Sequence, residues 1–498
     1  MIGIVIILTG IAKIFGAMRD IFLSYYYGSG SISDAYIIAT TIPVVIFSFI
    51  YEGIAASFIP VCTRLKTQTE ENSLINNLIS HLFIFSLIII IIIQVCSDEI
   101  IGIFAPGFSA STLTIASYML RLSIVGSIFS CYVYVFAYYL NYCNSFILPT
   151  IRSIPMNLTI ICSIVVSAKT QSILPLAIGI PISMFTELFC LGLYSRKFGY
   201  RFFFVIDTKS QDIRKIAKWS LPIILASSVA EINSIIDRQF ASYIIEGGIS
   251  IVTYSSRTLD MARTAFIMPI ATIIFPVIAK AAYNNVQEEI DSVFIKSLSL
   301  VIIIAMPVTA LLIIYASDII NILFGRGAFS NQSAELSSIC LKFYAISLVG
   351  HAIVAIGTKT FHAMTDMKTI LYISLFALVV NIIGNFVLSK YLLLGGLALS
   401  ASISISTMAI TQYYILWKKI KFKNSEIFFI LIKSSIAALI MSMFVSIVNR
   451  NISIFNYPEN LIGCIMQVFL ISTLGLIIYI VILQKMNIKI KKLIFKRV

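Results

Sequence analysis

Long apolar runs separated by short polar clusters fill almost the whole chain. A membrane-spanning helix needs about 20 apolar residues, and runs of that length follow one another from the start of the chain to about residue 484. This pattern predicts an all-α polytopic membrane protein with about fourteen spans. We place these spans at 1–26, 32–62, 74–96, 112–139, 146–167, 172–195, 214–245, 250–280, 289–316, 334–361, 367–388, 394–416, 426–447 and 460–484.

The composition agrees with this pattern and excludes soluble enzymes. Of 498 residues, 59% are hydrophobic and 12% are charged, and the mean hydropathy is +0.99. No polar stretch is long enough for a soluble catalytic domain of about 100 residues. The eight cysteines are scattered through the spans and the three histidines are isolated, so no metal or nucleophile spacing indicates an active site. The sequence therefore predicts a protein that is not an enzyme.

Basic residues are distributed unevenly between the two sides of the membrane. The loops and tail on the side of both termini carry 22 lysines and arginines, whereas the opposite side carries four: Lys169, Arg326, Lys390 and Arg450. Positive loops stay in the cytoplasm, so both termini are predicted to be cytoplasmic. The same bias explains the net charge of +14 without a nucleic-acid partner.

An internal repeat divides the chain. Matching residues recur 216 to about 221 positions apart, as in Gly30 with Gly248, Tyr36 with Tyr254, Pro60 with Pro276, and Gly107 with Gly327. Six spans separate the copies, so the two halves have the same orientation. The predicted domains are a lobe at 1–205 with spans 1–6, a lobe at 206–420 with spans 7–12, and a segment at 421–498 with spans 13 and 14 and a basic cytoplasmic tail.

The first sixty residues carry a set of short charged and glycine motifs that composition alone does not produce. Their residues are Lys13, Gly16, Arg19, Asp20, Gly28, Gly30, Asp34, Tyr36, Pro43, Glu52, Gly53 and Pro60. With residues 105–108 and 254–257, this set resembles the signature of the MurJ (MviN) lipid II flippases. That family belongs to the MOP superfamily, together with the MATE exporters and the polysaccharide-lipid flippases.

The resemblance implies a carrier in the bacterial cytoplasmic membrane, with spans 1, 2, 7 and 8 lining the cavity between two lobes. Such a carrier moves lipid II, an undecaprenyl-pyrophosphate-linked muropeptide, from the inner to the outer leaflet by alternating access. We expect a monomer whose partners are this substrate and membrane lipid, with the substrate tail against spans 13 and 14. Two alternatives stay open: a flippase for another lipid-linked polysaccharide, and a MATE-like cation-coupled exporter. A polytopic enzyme or a scaffold is disfavoured.

Eleven charged residues within spans 1, 2, 7 and 8 point to a wet cavity. A charge at the bilayer centre costs about 2.5–3.5 kcal/mol on the lenient insertion scale, so these side chains are expected to face water or one another. They are Lys13, Arg19, Asp20, Asp34, Glu52, Glu231, Asp237, Arg238, Arg257, Asp260 and Arg263.

The family match gives several of these residues a role. Arg19, Arg257 and Lys13 are expected to hold the pyrophosphate, and Lys13 has the alternative of a lysine that reaches to the membrane interface. Arg19 and Asp20 are adjacent, so we expect no pairing along one helix face. Asp34 and Glu52 are expected to orient the cations or to gate the cavity.

The arginines of span 8 have an alternative reading. Arg257, Asp260 and Arg263 are three residues apart, which also suits a structural ion-pair ladder. The family usually has basic residues at the positions of Thr41, Phe47 and Ser48. Arg238 and Arg263 are therefore candidates to replace the missing charges and complete the predicted substrate-binding set.

A sodium ion is a further expectation from the resemblance. Asp237 on span 7, with Asn381 and Asn385 on span 11 and Ser400 or Ser402 on span 12, supplies oxygen ligands for a hard cation. The alternative is that the two asparagines only form hydrogen bonds between helices.

Overall fold

The computed structural model describes the backbone of residues 2–284, 287–422, 424–452 and 461–488. Within these ranges, the described side chains exclude residues 2, 3, 6, 49, 50, 52, 55, 56, 221–228, 282–284, 287–289 and 452. The described residues are nearly all helical and contain no strand. The prediction of an all-α protein is therefore confirmed.

Nineteen α-helices follow one another along the described chain. They are α1 Ile2–Tyr27, α2 Ser31–Cys62, α3 Gln68–Val95, α4 Ser97–Phe104, α5 Ala110–Ser123, α6 Ser127–Tyr142, α7 Ile147–Ile151, α8 Ser153–Thr170, α9 Leu174–Ser195, α10 Gln211–Ile244, α11 Gly248–Ala262, α12 Met268–Asn284, α13 Gln287–Ile314, α14 Ala316–Leu323, α15 Asn331–Ala363, α16 Met367–Leu392, α17 Leu394–Ile420, α18 Asn424–Ile452 and α19 Leu461–Lys485. A π-helical turn at Arg263–Ile267 joins α11 to α12.

Twelve helical segments of the described chain are long and apolar enough to cross a membrane. Helices α1 and α10, with 26 and 34 residues, include side chains outside the described set and are not among these twelve. The multi-span prediction is confirmed, and the count of fourteen spans stays a prediction. The eight-residue helices α4 and α14 are additional to the predicted spans.

Polar caps set where several helices begin. Thr67 and Glu70 form a capping box at the start of α3, in which each side chain accepts a hydrogen bond from the other residue's backbone N–H. Ser109 caps α5 and Ser330 caps α15. In each case the serine hydroxyl accepts a hydrogen bond from the backbone N–H three residues later. These two serines are 221 residues apart, so the cap follows the internal repeat.

The chain divides into two compact units. The first unit is Met1–Ser250 with Arg326–Phe329, and the second is Ile251–Gly325 with Ser330–Val498. Helix α10 belongs to the first unit because it packs along α2, where the Ser57 and Ser220 hydroxyls lie 3.2 Å apart. The predicted lobe boundary at residue 205 rests on the repeat and stays a prediction.

Asparagines of α3 anchor the polar segment that precedes α10 in the first unit. Three asparagine side chains each donate a hydrogen bond to a backbone carbonyl of this segment. The pairs are Asn72 with Gly199 at 3.1 Å, Asn76 with Arg201 at 2.8 Å, and Asn77 with Asp207 at 3.1 Å. This non-helical segment therefore has a fixed path over the end of the helix bundle.

The core of the second unit joins the last two helices to the rest of that unit. Met441 and Val445 of α18 and Ile471 of α19 are buried together with Ile303 of α13. The Tyr479 hydroxyl donates a 2.9 Å hydrogen bond to the Ile303 carbonyl. Helices α18 and α19 are thus fixed to α13 by apolar packing and by one buried polar contact.

Candidate functional site

Arg19 and Asp20 form an ion pair on α1. The Arg19 Nε and Nη2 atoms lie 3.1 and 3.0 Å from Asp20 Oδ1, and Asp20 is only 3% exposed. The expectation that these neighbours would not pair is wrong, because the long arginine stem bends sideways to the adjacent carboxylate. The buried acid fixes the direction of a guanidinium that is still 22% exposed. Lys13, on the same helix, has an exposed side chain.

Asp34 binds the first turn of α11. Its Oδ2 accepts from the Gly247 backbone N–H at 2.9 Å, and its Oδ1 accepts from that of Ser250 at 2.7 Å. A carboxylate at a helix N-terminus satisfies backbone donors that lack helical partners and interacts favourably with the helix dipole. The structure thus places Asp34 at the junction of α2 and α11, within the first unit.

The Asp34→Ala variant is expected to lose about 0.5–2 kcal/mol of stability, the range for removal of an N-cap acceptor. Asp34→Asn keeps one acceptor oxygen, so its loss should be smaller. Thermal unfolding of the purified protein in detergent measures both. Asp98→Ala is the matched control, since the Asp98 side chain is 56% exposed and its contact with Arg121 is 3.9 Å long. Equal midpoints for Asp34→Ala and Asp98→Ala would contradict the capping role.

The predicted cations of spans 7 and 8 lie in different units. In the first unit, Arg238 Nη1 donates to the Ser234 hydroxyl at 2.7 Å, one turn earlier on α10. In the second unit, Arg263 Nη2 lies 2.9 Å from Asp260 Oδ1, which provides one of the two contacts of the predicted ion-pair ladder. Arg263 opens the π-helical turn, and its Nε atom is buried without a hydrogen-bond partner among the described residues.

Three further predicted charged residues are partly buried. They are Glu231, Asp237 and Arg257. The Glu52 side chain lies outside the described residues, although its backbone is part of α2. The structure therefore brings Arg19 to Asp20, Arg263 to Asp260, and Asp34 to the first turn of α11.

The span 2 positions that the resemblance led us to expect as basic have packing roles here. Phe47 is fully buried, and its ring stacks on that of Tyr51 with centroids 6.4 Å apart. The Ser48 hydroxyl donates to the Val45 carbonyl at 2.9 Å. Thr41 is partly buried. An arginine at position 47 would thus have to displace a core aromatic ring.

A second buried ion pair in the first unit was missed by the sequence analysis. Arg152, between α7 and α8, lies 3.3 Å from Glu187 of α9 through Nε and Oε1, with side chains 21% and 9% exposed. The Arg152 guanidinium also stacks over the Tyr134 ring, 4.3 Å from its centre, and Tyr134 stacks on Tyr51 at 3.7 Å. The sequence did contain a signal for this pair. A glutamate inside the apolar run 172–195 is as costly to place in a membrane as the acidic residues of span 2.

Glu187→Ala is expected to destabilise the protein by about 1–3 kcal/mol, because it leaves a poorly solvated guanidinium without its acceptor. Glu187→Gln keeps an acceptor and should be milder. The shift of the thermal midpoint in detergent measures both, with the exposed Glu335→Ala as control. A Glu187→Ala midpoint as high as that of the control would show that the pair adds nothing to stability.

Four loops of the first unit lie close together on the side predicted to be external, since Gly28 approaches Ala328, Gly247 approaches Ser29, and Gly107 approaches Ser242 at the end of α10. We call them the outer clasp: residues 28–30, 105–109, 245–247 and 326–329. They come after the C-terminal ends of α1, α4, α10 and α14, respectively. The clasp therefore joins segments that the repeat assigns to both predicted lobes.

Backbone contacts hold the outer clasp. The Ala328 N–H donates to the Tyr25 carbonyl at 2.8 Å, and the Gly107 N–H donates to the Ser242 hydroxyl at 3.0 Å. A Cβ atom on Gly107 would lie 2.2 Å from the Ser242 carbonyl oxygen. One on Gly327, whose φ is +67°, would lie 2.2 Å from the Tyr25 carbonyl oxygen. Only glycine permits this closeness at the two positions.

Asn381 and Asn385 form hydrogen bonds inside the second unit. Asn385 Nδ2 donates to Asn381 Oδ1 at 2.7 Å, and the Ser400 hydroxyl donates to the Asn381 carbonyl at 2.8 Å. Both asparagines are fully buried between α16 and α17, which carry no carboxylate. Asp237 belongs to the other unit.

These contacts are those of the hydrogen-bonding alternative. The sodium site stays a prediction. The described residues contain no group of three or more His, Cys, Asp or Glu side chains that could hold a metal ion.

The arrangement of helices is that of known multi-span transporters. A lipid II flippase MurJ in an inward closed conformation aligns with a TM-score of 0.82 and 22% identity, over 96% of this chain and 97% of that one. An inward-facing multidrug resistance MATE family transporter of the MOP superfamily aligns with a TM-score of 0.69 and 14% identity, over 82% of this chain and 94% of that one. The fold is therefore that of the MOP transporters.

Sequence comparison defines the family within this class. The chain belongs to the lipid II flippase MurJ family, whose model matches residues 23–463. A probable lipid II flippase MurJ of Buchnera aphidicola subsp. Schizaphis graminum is 28% identical over 97% of this chain and 96% of its own length. One of Thermotoga maritima is 24% identical over 80% of each chain. The family consists of transporters, so the predicted resemblance and the prediction of a protein that is not an enzyme are confirmed.

Proposed function

We propose that this chain carries lipid II from the inner to the outer leaflet of the bacterial cytoplasmic membrane by alternating access. The observation that carries the proposal is a set of cations and acids in the apolar helices of a chain matched by the flippase family over residues 23–463. Moving a lipid between leaflets forms no covalent bond, so it requires groups that bind the head group and a way to open each side in turn.

The cations of α1 and α11 are the proposed ligands of the pyrophosphate. A guanidinium forms paired hydrogen bonds with phosphate oxygens, and Arg19 is directed by Asp20 through contacts of 3.0 and 3.1 Å. Arg257 is assigned the same task, with Lys13 adding a point charge. Arg263 and Arg238 are assigned a share of the charge that Phe47 and Ser48 do not supply.

The acids have proposed positioning roles. Asp260 holds the Arg263 guanidinium at 2.9 Å. Asp34 fixes the first turn of α11 through two backbone N–H groups, so it would link α11 to the state of the outer side. Glu52 is assigned to cation orientation on sequence grounds alone.

The outer clasp is the proposed external gate. Its contacts at Tyr25–Ala328 and Gly107–Ser242 use backbone atoms and one hydroxyl, and they can separate without leaving a buried charge unpaired. An open clasp would release the head group outward. We further propose that both termini are cytoplasmic, on the basis of the 22 to 4 bias in basic residues, and that the protein acts as a monomer.

Complementation tests the proposal. Cells whose own flippase is switched off would express this chain, and an added enzyme that acts only on external lipid II would report the exposed fraction. We expect restored growth and restored exposure, with the empty vector giving neither. Membrane insertion at a normal level without lipid II exposure would contradict the proposed substrate, and would direct attention to another lipid-linked polysaccharide.

A further inference from the structure

Two apolar pockets lie apart from the charged residues discussed above. The pocket of the first unit has a volume of about 310 Å³ and the pocket of the second unit about 480 Å³. The first is bounded by α3, α6, α9 and the segment after α9, and the second by α13, α15, α17 and the start of α18. Among the described residues, no acidic side chain lines either pocket.

The two pockets are equivalent under the internal repeat. Lining residues of the first recur in the lining of the second 219 to 221 positions later: Ile79 with Leu298, Tyr132 with Ile353, and Phe189 with Ile410. Each repeat therefore contributes the same three spans to its pocket, although the side chains differ, and α18, which lies outside the repeat, supplies a further wall of the second pocket. A cavity kept in both copies despite such differences is a feature of the architecture, not an accident of packing in one copy.

The same end of each pocket has the same backbone turn. Gly199 and Lys421, 222 residues apart, follow the helix with φ of +86° and +61°. Each precedes a buried aromatic residue, Tyr200 and Phe422, which are 6% and 3% exposed. The two rings pack edge-on against pocket-lining aromatic rings, with centroids 4.9 Å apart for Tyr200 with Phe136 and 5.4 Å for Phe422 with Tyr413.

A lysine folded over a tyrosine also marks this end in both repeats. Lys197 Nζ lies 5.3 Å from the Tyr194 ring centre, and Lys418 Nζ lies 4.6 Å from that of Tyr414. The two lysines are 221 residues apart. Arg196 lines the first pocket beside Lys197. Lys197 thus adjoins a basic residue that lines the first pocket, and Lys418 occupies the equivalent position of the second repeat, on the side predicted to be cytoplasmic.

An acyl chain suits the interior of each pocket. An apolar cavity of about 150 Å³ stays dry and takes up benzene, so these larger cavities have room for a segment of hydrocarbon chain. The rims are open, since Phe189 is 55% and Ile410 is 70% exposed. Anionic lipid head groups are attracted to lysines and arginines at the inner membrane surface.

We propose that the two pockets are equivalent binding sites for anionic glycerophospholipids of the inner leaflet. In each site, one acyl chain occupies the pocket and the phosphate lies at the basic end, near Lys197 in the first and Lys418 in the second. The sites lie apart from the charged residues of the proposed substrate site, but the second includes the start of α18, a helix expected to contact the substrate tail. Competition with undecaprenyl phosphate therefore distinguishes a glycerophospholipid from the substrate tail.

Native mass spectrometry of the purified full chain tests the sites with palmitoyl-oleoyl-phosphatidylglycerol, and with palmitoyl-oleoyl-phosphatidylcholine for comparison. We expect two tightly held phosphatidylglycerol molecules. Gly192→Leu should remove one, because the nearest atom to a Cβ there is a Phe136 ring carbon at 3.9 Å and the added side chain fills the first pocket. Ala409→Phe should remove the other, and the double variant both, with a fall in affinity of about tenfold or more per site.

Charge variants test the positive ends without altering the interior. Lys197→Gln and Lys418→Gln should each reduce the preference for phosphatidylglycerol over phosphatidylcholine by about fivefold at one site. Leu439→Phe is the control, since Leu439 is 61% exposed on α18 and lines neither pocket.

Three results would overturn the proposal. The first is an unchanged number of bound lipids in both filled variants. The second is equal retention of phosphatidylglycerol and phosphatidylcholine by the native chain. The third is displacement of phosphatidylglycerol from both sites by undecaprenyl phosphate, which would assign the pockets to the polyprenyl chain. A chain that fails complementation but retains two phosphatidylglycerol molecules would contradict the transport function and leave these sites supported.

Discussion

Arg19→Ala is expected to abolish outward display of lipid II while leaving the chain inserted in the membrane. Hydrogen bonds to charged groups contribute about 1.5–3 kcal/mol each, so losing a two-point contact should lower transport by about a hundredfold or more. Arg19→Lys should also fail, because an ammonium cannot reproduce the paired geometry of a guanidinium. The measurement is growth and external lipid II in flippase-depleted cells, at matched protein levels.

Arg121→Ala is the matched control for this experiment. Arg121 is also an arginine next to an acid, but its side chain is 47% exposed and its distance to Asp98 is 3.9 Å. Its loss should leave growth and lipid II exposure unchanged. Normal growth with Arg19→Ala at native expression would remove Arg19 from the proposed site, whatever the other cations do.

The helices themselves could be read from the sequence to within a few residues. The runs 394–416 and 460–484 correspond to α17 Leu394–Ile420 and α19 Leu461–Lys485. In a membrane, every backbone polar group must find a partner within the protein, so an apolar run of this length has few alternatives to a helix. The eight-residue helices α4 and α14 were missed because they are too short to produce a spanning signal.

The contacts of the candidate residues were harder to predict than their positions. Pairing of Arg19 with Asp20 depends on side-chain rotamers, which a helical wheel does not represent. The Arg152–Glu187 pair joins residues 35 positions apart, and no local pattern relates them. Glu187 lies within an apolar run, as the predicted charges of spans 1, 2, 7 and 8 do, and its cost is likewise met by an ion pair.

The repeat carried more structural information than its weak sequence similarity indicated. It relates Ser109 to Ser330 as helix caps and Gly107 to Gly327 as points of close approach. What it could not predict is the partner of each glycine. Those partners, Ser242 and Tyr25, come from distant parts of the chain, and only the packed structure brings them together.

Gly107→Ala and Gly327→Ala are expected to prevent closure of the outer clasp and to stop transport. The new Cβ atom would lie 2.2 Å from a backbone carbonyl oxygen in each case, so a backbone shift is required. At Gly327 the φ of +67° adds strain for any residue with a side chain. We expect loss of complementation, together with at least a severalfold rise in labelling of Ser24→Cys by a membrane-impermeant maleimide, because Ser24 is fully buried beside the clasp.

Gly102→Ala is the matched control for the clasp variants. Gly102 lies on α4 close to the clasp, and nothing lies within 4 Å of a Cβ atom built there. Labelling should be compared with the same variants lacking Ser24→Cys, because the chain has eight cysteines of its own. If Gly107→Ala and Gly327→Ala stop transport while Ser24→Cys stays as protected as in the Gly102→Ala background, closure does not depend on these contacts. The outer clasp would then be a structural junction, and the external gate would have to be formed by other residues.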